Sequence, residues 1–304
     1  MVVDLVLPER GDGLVEAFNS WREAAEEATC CDFALAVAVP QVDQQTRAEM
    51  QQLAKELGVN TFKLFMSQKN SLMLNNAELM EAFKVIKELG GVAKVAAENG
   101  DIVAENQRRL LARGVAGPEG HPAAQPQEVE EEAVRRACSL ALQANLPLVV
   151  CSPSCTEVAD IIEQFSSRGL VVLGEAQAAA LAVEGSHYYS KCWGHAAAFV
   201  TSPPLREGEE VPEGLVAAMV GGAGVDLVAS THTGISMEAR ARGRDNFAAI
   251  PQGLTGVEER MGLVWEKGVE EGKMEVTRFV EVTSTAAAKM LNIYPRKGAI
   301  AQVR

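Results

Sequence analysis

Cysteine, histidine and lysine side chains near strand ends are the groups in this chain that could bind a metal or attack a carbonyl. Cys151 and Cys155 bracket Ser152-Pro153-Ser154, and His232 follows Thr231. Thiolate and imidazole together suit zinc. The Cys-x3-Cys spacing is neither a strong metal nor a strong redox signature, and the strand ends that carry these groups are expected on different sides of a shared mouth. Cys151 has no basic neighbour in sequence that would lower its thiol pKa, so it reads weakly as a nucleophile. His121, His187 and His195 fall in loops or at helix starts and read as structural. No Gly-x-Ser-x-Gly elbow marks a serine nucleophile, and no Gly-rich turn follows the first strand to cradle a phosphate.

The elements that must position these groups alternate. Short apolar runs at 2–6, 33–39, 62–66, 92–96, 148–151, 170–173 and 226–230 predict strands. Amphipathic stretches at 14–28, 44–57, 77–89, 128–144 and 156–167 predict helices between them. Two further helices are expected at 257–271 and 276–291. Strands alternating with helices imply parallel pairing, and uniformly apolar strands imply burial on both faces. The segments 114–126 and 202–212, rich in Pro and Gly, predict loops. Seven strands are one short of a closed (β/α)8 barrel. An open doubly wound sheet is the rival, but Gly221-Gly222-Ala223-Gly224 precedes a strand and reads as a turn. Residues 1–304 are expected to form a single domain, with no internal repeat and no linker.

Composition removes several function classes. A formal net charge of −13 argues against a nucleic-acid partner, which needs a cationic face. No run of eighteen apolar residues is long enough for a membrane helix, and Asp4 stands where a secretory leader would be basic. Six cysteines in 304 residues do not read as a disulfide framework, so reduced thiols and a cytosolic setting are expected.

Several words of sequence, taken in order, carry a resemblance. They are Cys30-Cys31-Asp32, Gly58-Val59-Asn60-Thr61-Phe62-Lys63, Ala96-Ala97-Glu98-Asn99-Gly100-Asp101 and Gly117-Pro118-Glu119-Gly120-His121. Further on come His187-Tyr188-Tyr189, Thr201-Ser202-Pro203-Pro204-Leu205, Gly256-Val257-Glu258-Glu259-Arg260-Met261 and Tyr294-Pro295-Arg296-Lys297-Gly298. In these words the chain resembles the dihydropyrimidinase and collapsin response mediator protein family of the amidohydrolase superfamily. The resemblance implies an incomplete (β/α)8 barrel of about seven parallel strands, without the family's first strand and its flanking β-sandwich. The edges of strands 2–6 and 226–230 would then face a gap.

For the family, the resemblance implies two zinc ions bridged by a carboxylated lysine. Lys63 matches that lysine. Ala96 and Ser152 stand where metal-binding histidines are expected, and Thr231 replaces an aspartate that serves as base and ligand. No His-x-His pair is present. Methyl and hydroxyl groups are poor ligands for zinc at neutral pH. No cofactor is therefore expected, and Lys63 is expected to pair with an acid such as Glu98 or Glu175. The family's substrate contacts fall on Gln68, Ser202 and Thr255, of which only Ser202 keeps the family's residue. The expected role is that of the family's non-enzymatic members. These are cytosolic homo-oligomers, tetramers in the family, that bind protein partners including cytoskeletal ones such as tubulin. The alternatives are a metal-dependent cyclic-imide hydrolase, or a chain that does not fold by itself.

Overall fold

The computed structural model describes residues 1–301. Seven strands pair in chain order into one parallel sheet: β1 (Val2–Val6), β2 (Phe33–Ala38), β3 (Thr61–Phe65), β4 (Val92–Ala96), β5 (Leu148–Cys151), β6 (Val172–Gln177) and β7 (Leu227–Ala229). The sheet curls into the greater part of a (β/α)8-type barrel. Among the described residues no strand pairs with the outer side of β1 or β7. Helices α1 (Leu14–Ala28), α2 (Gln44–Lys55), α3 (Asn76–Glu88), α4 (Gly100–Ala112), α5 (Gly120–Ala124), α6 (Gln127–Ala144), α7 (Thr156–Ser167), α8 (Trp193–Ala198) and α9 (Glu210–Gly221) form the crossovers.

Local chemistry sets these boundaries. Asp43 accepts from the Thr46 amide at 2.8 Å and opens α2, and Asn75 with Glu78 forms a reciprocal capping box on α3. Asn145 and Gly222 adopt left-handed conformations that stop α6 and α9. Along β4 the exposure alternates with the pleat. Ala93 and Val95 are fully buried, while Val92, Lys94 and Ala96 are half-buried on the opposite face. The buried set joins Val37, Phe62, Leu64 and Val150 with Met50, Phe83, Ile86, Val134, Ile162 and Phe165 in one core between sheet and helices. A second apolar cluster gathers Tyr188, Leu215, Met219, Phe247 and Val282 beneath the later loops and helices.

The sequence reading needs four corrections. Strand β6 lies at Val172–Gln177, not 170–173. Gly169, at φ +92°, turns the chain there, and the polar residues Glu175 and Gln177 remain in the strand because each has a partner inside the barrel. Helix α4 was not anticipated; the Asn99 side chain caps it by accepting from the Asp101 and Ile102 amides. The expected loops at 114–126 and 202–212 contain α5 and the start of α9, which tolerates Pro212 in its first turn. The last two helices are each interrupted by a wide turn. Glu259–Val264 continues as a π-helix over Trp265–Glu270, and a π segment at Glu281–Thr285 divides Val276–Val280 from Ala286–Met290. No helix among the described residues is long and apolar enough to cross a membrane.

Candidate functional site at the barrel mouth

Lys63 and Lys94 are register partners on β3 and β4, so both project from the interior face of the sheet. The Lys94 ammonium lies 2.6 Å from Glu175 on β6, and this ion pair is largely shielded from solvent. Burial pushes the Lys94 amine down, but the Glu175 charge outweighs it and holds the amine above its ordinary value. Glu175 is thereby occupied, and among the described residues no carboxylate pairs with Lys63. Its ammonium instead lies over the Phe65 ring, 5.4 Å from the centroid. The pairing expected from sequence, Lys63 with Glu98 or Glu175, does not form. The competitor, Lys94, was readable in the sequence only as part of an apolar strand.

Ala96 ends β4 beside Phe65 and packs with Leu5, Ala38, Phe65 and Leu72 in a small apolar cluster. Ser152 follows β5; its amide donates to the Glu175 carbonyl at 2.7 Å, and its side chain is buried. Thr231 follows β7, and its hydroxyl donates to the Ser230 carbonyl at 2.8 Å. Both residues hold the left-handed backbone, with φ +57° at Ser152 and φ +44° at Thr231. That region is sterically costly for any side chain and most costly for a β-branched one. Neither side chain draws on the conformation for a contact of its own beyond the local bond at Thr231.

Of the three supposed substrate contacts, two share a cleft. Gln68, at φ +60° after β3, and Ser202 both line a cleft of about 500 Å³ with Gln107, Gln125 and Gln252. Thr255 is exposed in a loop and does not line it. Lys63, Ala96, Ser152 and Thr231 lie outside this lining as well.

The cysteine and histidine groups do not converge. Among the described residues no three of His, Cys, Asp or Glu are placed to hold one ion. Cys155 is buried at the start of α7, and burial pushes its thiol up to about 12. Cys151 is likewise pushed up by burial, even though Lys63 and Lys94 both act on it from neighbouring strands. Those two lysines are the basic neighbours that its own stretch of sequence does not show. His232 is exposed, and its Nδ1 accepts from the Gly256 and Val257 amides at 3.2 and 3.3 Å. A methyl and two hydroxyls are what this chain places at the positions where the resemblance requires two imidazoles and a carboxylate, and of the family's ligands only Lys63 is kept. That set does not fit a pair of divalent ions.

Behind the mouth lies a buried polar network that sequence reasoning passed over. Arg206 reaches Glu130 at 2.8 Å, the Ser154 hydroxyl at 2.8 Å and the Gln125 carbonyl at 2.5 Å. Ser154 donates to Glu130 from both its amide and its hydroxyl. His121 is fully buried; Nε2 donates to the Thr201 carbonyl at 2.6 Å, which leaves Nδ1 to accept from Gln125 at 3.2 Å. Burial holds this imidazole down to about 4, so it stays neutral. Glu98 accepts from the Ser202 hydroxyl through one oxygen, while its Oε1 has no partner. Burial raises the Glu98 carboxyl to about 7, against the opposing Ser202 bond. Only the apolar context of Ala96-Ala97-Glu98 signalled such a group in the sequence.

Comparison with known proteins places the chain. It is 42% identical over 301 residues to a dihydropyrimidinase of Rattus norvegicus, a match covering 99% of this chain and 58% of that protein. It is 40% identical over 300 residues to dihydropyrimidinase-related protein 5 of Homo sapiens, covering 99% of this chain and 53% of that protein. The crystal structure of dihydropyrimidinase from Brevibacillus agri superposes with a TM-score of 0.95 at 31% identity, over 98% of this chain and 64% of that one. A D-hydantoinase from Thermus sp. gives 0.95 at 29% identity, with the same coverage of 98% and 64%. No family model matches the chain. The chain spans a little over half the length of the two curated relatives named here. With 40–42% identity along its whole length and a barrel that superposes on the hydantoinases, the chain belongs to the family of dihydropyrimidinases and dihydropyrimidinase-related proteins.

Proposed function

We propose that this chain is a non-enzymatic member of that family, acting through protein contacts and not through ring opening. The observation that carries this reading is Ala96, packed among Leu5, Ala38, Phe65 and Leu72 where the resemblance calls for an imidazole. Ser152 and Thr231 add hydroxyls where a histidine and an aspartate would coordinate, and Lys63 finds an aromatic ring for a neighbour. A lysine carbamate needs cations to stabilise it, and this donor set supplies no place for them. In this reading residues 1–304 form one domain of a cytosolic homo-oligomer, a tetramer by analogy with the family, that binds cytoskeletal proteins such as tubulin.

The test is elemental analysis of the purified chain together with an assay for opening of dihydrouracil. The expected outcome is zinc well below one ion per chain and no turnover, with or without added zinc. Stoichiometric zinc with turnover that vanishes on chelation would establish the opposite reading, a cyclic-imide hydrolase. Sedimentation of the same material tests the oligomer, and a single monomeric species would remove the scaffold part of the proposal.

A further inference from the structure

Two imidazoles lie outside the lining of the barrel-mouth cleft, His187 half-buried and His195 exposed. His187 sits in the 3-10 turn Gly185–Tyr189, and His195 sits in α8, which packs against that turn. Their facing nitrogens, Nδ1 of His187 and Nε2 of His195, are 2.9 Å apart. The His187 ring stacks on Phe199, with centroids 4.1 Å apart and planes within 7°. The His195 ring is exposed and tilts against the same Phe199, with centroids 5.0 Å apart. Among the described residues the remaining nitrogen of each ring has no protein partner, so each can keep its proton facing solvent. In the metal-free chain one facing nitrogen donates to the other; a metal ion takes the place of that bond once the donor ring shifts its proton to its outer nitrogen, which frees both facing lone pairs.

From this geometry we infer that His187 and His195 form a surface site for a transition-metal ion that accepts two cis imidazoles, nickel(II) or copper(II). With metal–nitrogen bonds of about 2.0 Å, a 2.9 Å bite subtends about 90° at the ion. That angle belongs to square-planar or octahedral coordination, the geometries of copper(II) and nickel(II), and not to tetrahedral zinc. The Glu184 carboxylate lies close enough to interact electrostatically with His187, and its charge favours a cation there. Cys192, on the turn between the two histidines, is exposed but does not converge with them. Water completes the coordination. The site is independent of the barrel mouth, so it stands whether or not the chain is an enzyme.

Titration of the full chain with nickel(II) chloride, followed by calorimetry, is expected to show one equivalent bound. Copper(II) added instead is expected to give an electron paramagnetic resonance spectrum with nitrogen hyperfine structure from two imidazoles. The variants His195→Gln and His187→Asn should each weaken nickel binding by more than about tenfold, the lower bound for loss of even a supporting partner. Cys192→Ser should leave it unchanged. Circular dichroism confirms that each variant folds. No uptake with nickel in excess would overturn the inference. So would binding that persists in His195→Gln and disappears in Cys192→Ser, because it would belong to the thiol.

Discussion

Along β3 and at the ends of β4, β5 and β7 the chain presents Lys63 over an aromatic ring, Ala96 in an apolar cluster, and two hydroxyls in left-handed backbone. Between α6 and the loop around Arg206 it presents Glu130, Ser154, Gln125 and His121, every one hydrogen-bonded and almost wholly buried. The first region holds residues at positions where the resemblance places ligands. The second holds polar groups whose partners are other parts of the chain. Buried polar atoms that lock loops to helices contribute to stability with no ligand present, whereas a ligand-binding residue contributes nothing to the fold until the ligand arrives. The family's barrel can therefore persist on the second region whatever residues the first carries.

The contrast is most easily broken at Arg206. Replacing it with Met strands Glu130, which is 1% exposed, and is expected to cost about 3–5 kcal/mol in urea unfolding. A loss under about 1 kcal/mol would show that the network contributes little net stability. Lys94→Met should cost about 3 kcal/mol, because it leaves Glu175 charged and unpaired inside the barrel. Lys63→Met is the control at the neighbouring register position. It breaks no ion pair, and its midpoint should stay near that of the unsubstituted chain.

Glu98 and His121 sharpen the comparison through pH. Glu98 titrates near 7 in the fold against an ordinary value near 4.5, so the native state holds the extra proton. Its contribution is present below about 4.5 and lost as pH rises towards 7. His121 is displaced the other way, to about 4 from 6.5, so its contribution is present above 6.5 and lost as pH falls. Between about 4.5 and 6.5 the two slopes oppose and largely cancel. Glu98→Gln removes one of them. The unfolding free energy of this variant, from urea titrations, should rise with pH across that window by about 1–3 kcal/mol. A flat profile would mean that His121 is not held neutral by burial.

The smallest expected effect lies at Thr231. Asn tolerates the left-handed backbone better than a β-branched residue, so Thr231→Asn should gain about 1 kcal/mol in the same unfolding measurement. A loss instead would show that the Thr231 hydroxyl, donating to Ser230, is worth more than the strain it accompanies.

The alternation of strand and helix was legible because apolar periodicity and the helix caps at Asp43 and Asn75 are local signals. Six of the seven strands were anticipated within a residue or so of their observed positions. Strand β6 was displaced because Glu175 and Gln177 read as polar, and their partners Lys94 and Thr201 arrive from distant segments. The same limit hid the network around Arg206. Glu130 reads as one acid among several at a helix start, and only the fold brings Arg206 to it across 76 residues. The altered mouth was legible through the resemblance alone, since nothing in the composition of Ala96, Ser152 or Thr231 marks them as strand-end positions facing a common interior.

The two outer strands give the sheet a gradient. Amides of β3, β4 and β5 are enclosed by neighbours on both sides, so they exchange with deuterium only when the whole sheet opens. Among the described residues β1 and β7 are paired on one side each, and in this chain their amides are expected to exchange by fraying at a much lower free energy. The molecule thus behaves less like a closed hoop than like a rolled page whose margins lift first, and a deuterium time course read strand by strand would trace that lift from Val2 and Ala229 inward.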